Sequence, residues 1–193
     1  VGGQCGRMPG GGRFAARPAS GARSRHRLRR GLPPIHSEPR FHRGKAHAEL
    51  IGRIEHFGST AVPGLPAKPI VDMLVEVSSL VETRKRIAPL LEAQGYDYFW
   101  RPSWGDDTPP FYAWFIKRDG HGHRTHHIHM VESDFEHWDR LLFRDYLRQF
   151  PDVARRYASL KMELAQTHHD DRVAYTDKKG AFIAEITQRA REY

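Results

Sequence analysis

Cysteine and long apolar runs are both scarce in this 193-residue sequence. The single cysteine, Cys5, cannot form a disulfide within the chain, so a secreted scaffold held by disulfides is excluded. No apolar run approaches the roughly 18–20 residues that a membrane span needs. The N-terminal arginines are not followed by the apolar core of a secretory signal. We therefore expect a cytoplasmic protein with no membrane partner.

Acidic residues are nearly absent from positions 1–45. This segment holds eleven Lys or Arg residues and one acid, Glu38, which leaves twenty basic and twenty-two acidic residues in 46–193. The formal net charge of +8 therefore comes from the N-terminal segment. A basic nucleic-acid face on the folded domain is not indicated, and nucleic-acid binding is expected only through the segment itself.

The same segment is rich in Gly, Arg, Pro and Ala and shows no hydrophobic periodicity. This composition predicts a disordered Gly/Arg-rich tail over 1–45, followed by one domain over 46–193. Two alternatives stay open for the tail. It could be a basic arm that binds RNA, or it could be a start that is not native coding sequence.

The remaining sequence alternates strand patterns with helical patterns. Helices are predicted over 42–53, 79–94, 134–149, 151–168 and 177–192, and strands over 53–57, 70–77, 96–101, 111–118 and 124–131. Ser79 with Glu82, and Ser133 with Glu136, have the spacing of capping boxes that begin helices. A turn over 119–122 has the residues of a hairpin that joins the last two strands.

Residues 55–77, EHFGSTAVPGLPAKPIVDMLVEV, contain the most informative pattern. Gly58 and Ser59 offer backbone N–H groups at a turn, which suits phosphate oxygens. Asp72 interrupts an apolar run, and a carboxylate there is costly to bury without a partner. Asp72 therefore faces a cation or ligand, or it lies at a solvent-facing strand end. The alternative for the whole stretch is a tight turn that leads into a buried strand.

His127 and His129 form the second candidate group. Residues two apart on a strand point to the same face, roughly 6.5–7 Å from each other. Two imidazoles so placed can share Zn²⁺ or Mn²⁺, or donate to phosphate. The alternative is one exposed and one hydrogen-bonded histidine. A histidine triad is rejected because the third position is Val131.

The stretch HFGSTAVPGLPAKPIVDMLV closely resembles the signature of the GrpB family. The patterns FRDYLR, Y-x-x-L-K and Y-T-x-x-K extend the resemblance, which covers about 46–193. That family is placed in the nucleotidyltransferase-fold superfamily. The resemblance implies an α+β fold, with C-terminal helices packed on a small mixed or antiparallel sheet. Some family members are fused to dephospho-coenzyme A kinase, which implies a place in nucleotide or cofactor metabolism.

The resemblance also implies a reaction. The chain would transfer a nucleotidyl group from a nucleoside triphosphate to an unidentified acceptor, using a divalent metal such as Mg²⁺ or Mn²⁺, or alternatively Zn²⁺. The catalytic and metal-binding residues would be Asp72, His127 and His129. The residues that contact phosphate would be Gly58, Ser59, Thr60, Lys68, Lys161 and Lys179.

One position departs from the superfamily pattern, which has a second acid two residues after the first. That position is Leu74, and the next acid on the same strand face, Glu76, lies roughly 13 Å from Asp72. These two acids cannot bind one ion. A catalytically inactive nucleotide- or metal-binding module is therefore the alternative function. Arg144 and Asp145 of the FRDYLR pattern are either phosphate-directed or a structural ion pair.

Overall fold

The structure is a computed structural model that describes residue 47 and residues 49–103, 109–168 and 170–193. The predicted tail, with its boundary at residue 45, lies outside the described residues. In the part that is described, five strands form one sheet, and three long helices follow the last strand. The predicted α+β class is confirmed.

The sheet is mixed. Its strands are β1 (Ile51–Phe57), β2 (Val71–Val77), β3 (Tyr96–Pro102), β4 (Phe111–Arg118) and β5 (Arg124–Val131). Their spatial order is β1-β2-β5-β4-β3, with β2 and β5 parallel and the other neighbours antiparallel. The predicted helix over 42–53 is wrong at its C-terminal end, because β1 already begins at Ile51, which pairs with Val77 of β2. Tertiary pairing here overrides a local helical pattern.

One face of the sheet is covered by the helical segment after β2. This segment consists of α1 (Leu80–Glu82), a π-helical turn (Thr83–Ile87) and α2 (Ala88–Ala93). As predicted, Ser79 caps its start, because the Glu82 N–H donates to Ser79 Oγ at 3.2 Å. Buried apolar residues of this segment pack on Met73, Val75 and Phe115. The opposite face therefore carries the side chains that alternate with these, including Asp72.

Three further helices follow β5: α3 (Asp139–Gln149), α4 (Pro151–Thr167) and α5 (Arg172–Glu192). Pro151 opens α4 as predicted. The predicted helix start at 134 is wrong, because Phe135 is extended and packs against the cluster of Phe57 and Tyr112. The predicted start of α5 at 177 is also wrong, because Asp171 Oδ1 accepts from the N–H groups of Val173 and Ala174 and begins the helix earlier.

These helices cover part of the second face of the sheet. Trp138 and Leu141, at the start of α3, pack on a buried cluster that includes Phe57 and Leu74. Helices α4 and α5 pack on α3, and Val62 from the loop between β1 and β2 joins Leu147 and Tyr157 in their core. The loop is thereby held against α4. Among the described helices, none combines the length and apolarity of a membrane span.

Arg144 links α3 to β1 from a buried position. Its Nη1 donates to Glu55 Oε2 and to the His56 carbonyl, both at 2.8 Å. Two further bonds reach the Asp145 carboxylate, at 2.7 and 2.9 Å. Of the two roles considered for Arg144, these contacts support the structural ion pair.

Replacing Arg144 with leucine is expected to lower the free energy of unfolding by about 3 kcal/mol, because Glu55 would lose its charged partner in a partly buried site. Urea denaturation measures the change. Arg155→Leu is the matched control, because its ion pair with Asp152 is exposed on both sides and should contribute less than about 1 kcal/mol. Equal losses in the two variants would contradict a structural role for Arg144.

Candidate functional site

Parallel pairing of β2 and β5 brings the predicted acid and histidines together. Asp72 lies opposite His127, and Leu74 lies opposite His129. The Asp72 Oδ1 atom is 2.9 Å from His127 Nδ1. His127 and His129 share a face of β5, as their alternation predicts, and that face is the one carrying Asp72. The acid within the apolar strand is thus partnered by an imidazole.

The donor atoms of this cluster fit a metal ion. Asp72, His127 and His129 each offer one ligand atom, and these atoms all lie within 4.8 Å of one another. His127 Nε2 and His129 Nδ1 are buried and have no hydrogen-bond partner among the described residues. A buried polar atom without a partner is uncommon and calls for an explanation, such as an ion. Two nitrogens and one carboxylate suit Mn²⁺ or Zn²⁺ better than oxygen-preferring Mg²⁺.

The electrostatics of the cluster keep its inner imidazole neutral. Burial lowers the pKa of His129 well below its ordinary value, and the positive charge of Arg140 lowers it further. Burial also lowers the pKa of His137 to about 3, with a smaller contribution from Arg140. Since only a neutral imidazole can bind a metal, His129 is in the ligating form across the physiological range of pH.

Arg140 is a site residue that the sequence does not reveal. Its Nη2 lies 3.0 Å from His137 Nε2, and its guanidinium lies 5.7 Å from the centre of the Phe57 ring. Burial lowers its pKa, while Tyr112 and Asp72 act in the opposite direction. Arg140 therefore places a positive charge near Asp72. An arginine within an amphipathic helix is usually a surface charge, so no local signal identifies it.

Gly58 borders the cluster of Asp72, His127 and His129 on the side of β1. Its φ of 74° lies in the left-handed region, and a Cβ added to it would stand 2.5 Å from Asp72 Oδ2. No side chain fits there without moving the carboxylate. The Gly58-Ser59 turn therefore lies directly against Asp72.

Replacing Gly58 with alanine is expected to cost about 1–3 kcal/mol of unfolding free energy and to displace the Asp72 carboxylate. Gly64→Ala is the matched control. Gly64 also has a positive φ, but an added Cβ there would meet nothing within 4 Å. Chemical denaturation and Mn²⁺ titration should show a stability loss in both variants and weakened Mn²⁺ binding only in Gly58→Ala. Mn²⁺ binding of wild-type strength in Gly58→Ala would contradict this geometry.

Lys161 of α4 contacts Ser59 in the Gly58-Ser59 turn. Its Nζ donates to Ser59 Oγ at 2.9 Å and to the Pro66 carbonyl at 2.6 Å, and its side chain is buried. Burial, and secondarily the charge of Lys179, lower the pKa of Lys161 to about 8. Tyr157, one turn earlier, has its ring 5.2 Å from this Nζ and a side-chain hydrogen bond with Ser59. Burial, more than the charge of Tyr175, raises the pKa of Tyr157.

The structure thus gathers some of the predicted phosphate ligands. Ser59, Lys161 and Lys179 lie near one another. Thr60 does not point its hydroxyl outward, since Oγ1 donates to the Ile70 carbonyl at 3.0 Å and closes the loop. Lys68 is exposed on that loop. Tyr157 was missed, although its four-residue spacing from Lys161 on a helix would place the two side chains together.

Comparison with known proteins identifies the family. The sequence profile described as GrpB protein matches residues 19–189. A UPF0157 protein of Pseudomonas aeruginosa is 46% identical over 138 residues, which cover 71% of this chain and 54% of that protein. The chain therefore spans about half the length of this relative. A Mycolicibacterium paratuberculosis protein named dephospho-CoA kinase is 28% identical over 161 residues, which cover 73% of this chain and 39% of that protein.

A solved structure agrees with this result. The crystal structure of conserved protein GrpB from Enterococcus faecalis matches with a TM-score of 0.63 and 37% identity, over 76% of this chain and 84% of that one. The similarity covers a mixed sheet with helices, which is consistent with a nucleotidyltransferase-like fold. The profile match and these identities confirm the resemblance seen in the sequence. The chain belongs to the GrpB family.

Proposed function

We propose that this domain is a metal-dependent nucleotidyltransferase that moves a nucleotidyl group from a nucleoside triphosphate to an acceptor. The observation that carries the proposal is the position of the Asp72, His127 and His129 cluster directly against the Gly58-Ser59 turn. The candidate metal site and the candidate phosphate site are thereby contiguous. A bound divalent ion would supply a Lewis acid that neutralises charge on the leaving pyrophosphate.

His127 and Asp72 act as a pair in this scheme. Asp72 Oδ1 lies 2.9 Å from His127 Nδ1, and this contact holds the imidazole beside the carboxylate that would share the ion. His129, held neutral by burial, supplies a lone pair. The protein thus presents His129 to an ion in its neutral form.

Ser59 and Lys161 act on the phosphate side. Lys161 and Tyr157 both hydrogen-bond the Ser59 side chain, which fixes the turn beside the Lys161 ammonium. An ammonium group has three N–H donors, and Ser59 and Pro66 account for two of them. The third can meet an anion. Lys179 and Arg140 add positive charge around the same region, which favours a polyanionic ligand.

A metal- or nucleotide-binding module without transfer activity is the second candidate. Leu74, at the position of the superfamily's second acid, is completely buried beside Phe57 and Val131. Glu76 is 3.5 Å from Arg53 in an ion pair. The cluster therefore contains a single carboxylate, which favours binding over two-metal chemistry.

Label transfer tests the proposal. The protein is incubated with Mn²⁺, a cell extract and nucleoside triphosphates that are labelled at the α-phosphate. We expect label on a macromolecule or metabolite, lost in His127→Asn and retained in His126→Asn, since His126 lies on the opposite face of the same strand. Thermal stabilisation by nucleotide and Mn²⁺ without any transfer would support the binding module instead. Absence of both transfer and stabilisation would contradict the two candidates together.

A further inference from the structure

The face that carries the metal cluster continues across β4 and β3 as a row of rings. Strand pairing aligns His129 with Trp114, and Trp114 with Phe99. The Trp114 and Phe99 ring centroids are 5.5 Å apart, and the Trp114 ring is 5.3 Å from that of His127. Trp114 is half-buried, whereas Phe99 is 38% exposed. An aromatic surface thus begins beside the metal cluster.

Two guanidinium groups accompany the rings. The Cζ atoms of Arg101 and Arg124 lie 5.4 and 5.7 Å from the centre of the Trp114 ring. Trp114 Nε1 is buried without a hydrogen-bond partner among the described residues. Asp97, an acid on the same face, is bound by Arg118 at 2.8 Å. We call Phe99, Arg101, Trp114 and Arg124 the ring platform.

The chemistry of the ring platform matches one class of ligand. Aromatic side chains stack on planar bases, and arginines both stack on rings and pair with phosphate. A ligand that carries a planar base and a phosphate group would engage both parts.

The order of the strands indicates whether this ligand lies on the donor side or on the acceptor side of the reaction. Ser59 and Lys161 lie on the β1 side of Asp72, whereas Trp114 of the ring platform lies on β4, two strands away on the other side, roughly 10 Å from β2. In-line transfer requires the acceptor and the leaving pyrophosphate to lie on opposite sides of the α-phosphorus. The ring platform is therefore on the acceptor's side.

We propose that the ring platform binds the acceptor and that the acceptor is a nucleotide, an inference that rests on the proposed function. An acceptor hydroxyl oxygen forms a bond to the α-phosphorus, and the bond from that phosphorus to the oxygen bridging to the β-phosphate breaks. Pyrophosphate leaves with that electron pair, and the hydroxyl proton passes to solvent. Base stacking on Trp114 sets how far the hydroxyl reaches toward the cluster.

Trp100 provides a matched control within the same strand pair. It also has a ring neighbour, Phe111 at 5.9 Å, and a guanidinium, that of Arg84 at 5.7 Å. However, it packs on the opposite face of the sheet, against the core that includes Phe115. A Trp100 variant removes an indole beside an arginine without touching the ring platform.

Two probes separate the acceptor side from the phosphate side: AMP alone, and tripolyphosphate with Mn²⁺. Isothermal titration should show AMP binding that weakens about tenfold or more in Trp114→Leu and in Arg101→Gln. Tripolyphosphate with Mn²⁺ should bind Arg101→Gln as it binds wild type. AMP binding should be unchanged in Trp100→Leu, with circular dichroism confirming that each variant is folded. Adenosine lacks the phosphate group and ribose 5-phosphate lacks the base. Each should therefore bind more weakly than AMP.

Two outcomes would overturn the inference. One is AMP binding that is lost in Lys161→Met but retained in Trp114→Leu, which would place AMP on the phosphate side. The other is an absence of AMP binding to the wild-type chain. Failure of the proposed function gives a different result: tripolyphosphate and Mn²⁺ would not bind, while AMP binding still depended on Trp114. In that case the ring platform would be a nucleotide site, but no acceptor role would follow.

Discussion

Replacing Asp72 with asparagine is expected to reduce nucleotidyl transfer about a thousandfold, because a metal-centred stabilisation of several kcal/mol depends on it. Asp72 is the single carboxylate of the cluster, and it also accepts the hydrogen bond that orients His127. Asparagine keeps the size of the side chain but not its charge. Initial rates of transfer, and Mn²⁺ affinity measured on the same samples, provide the test.

Asp97→Asn is the control for charge removal on the same face. Asp97 pairs with Ile116, which in turn pairs with His127, so it lies in the same cross-strand row as Asp72. Its carboxylate is bound by Arg118 and is exposed. We expect transfer in Asp97→Asn to stay within about twofold of wild type. Equal activity of Asp72→Asn and wild type would refute the catalytic role of the cluster.

Replacing Lys161 with methionine is expected to weaken tripolyphosphate binding about ten- to a hundredfold at about pH 7, because a charge-assisted hydrogen bond to phosphate is lost. The affinity of the same variant for tripolyphosphate should also lack the pH dependence of the wild-type affinity. Burial lowers the pKa of Lys161 to about 8, so wild-type affinity should fall as the pH rises from about 7 to about 9 and the ammonium loses its proton. Calorimetry at the two pH values measures both effects.

Lys178→Met is the control, since Lys178 is an exposed lysine of α5 that contacts His168. It should leave the affinity and its pH dependence unchanged. If Lys161→Met retained the wild-type fall in affinity above pH 8, another group would be responsible, and the phosphate role of Lys161 would be wrong.

The lowered pKa of Lys161 also predicts how stability depends on pH. Between about 8 and the ordinary value of 10.5, the unfolded chain keeps the lysine proton while the folded chain releases it. Stability rises with pH wherever the unfolded state binds more protons. The free energy of unfolding of wild type should therefore increase across this range relative to Lys161→Met. A constant difference between the two would contradict burial of a titrating ammonium.

Local patterns in the sequence predicted much of the fold. Alternation with a period of two placed His127 and His129 on one face, and Ser79 and Pro151 marked helix starts that the structure confirms. Capping signals failed where tertiary contacts decided the outcome. Because Phe135 packs on the sheet, α3 begins later in the chain than predicted. Asp171, which was not predicted as a cap, begins α5 before the predicted residue.

The candidate site depended on information that no local pattern carries. Asp72 and His127 are 55 residues apart, and they meet because β2 and β5 pair in parallel in one register. A slip of one residue would have put the histidines on the other face. The roles of Arg140 and Trp114 depend on neighbouring side chains that are distant in the sequence. Sequence reasoning therefore named the candidate metal ligands but missed the charge and the rings that surround them.

Pulsed electron paramagnetic resonance of bound Mn²⁺ tests the central claim most directly, because it detects imidazole nitrogen coordinated to the ion. In the wild-type chain, with Mn²⁺ below the protein concentration, we expect nitrogen modulation from coordinated imidazole. The modulation should weaken in His127→Asn and in His129→Asn and persist in His126→Asn. An Mn²⁺ signal with oxygen ligands alone, or nitrogen modulation unchanged by the His127 and His129 substitutions, would contradict a metal site at Asp72.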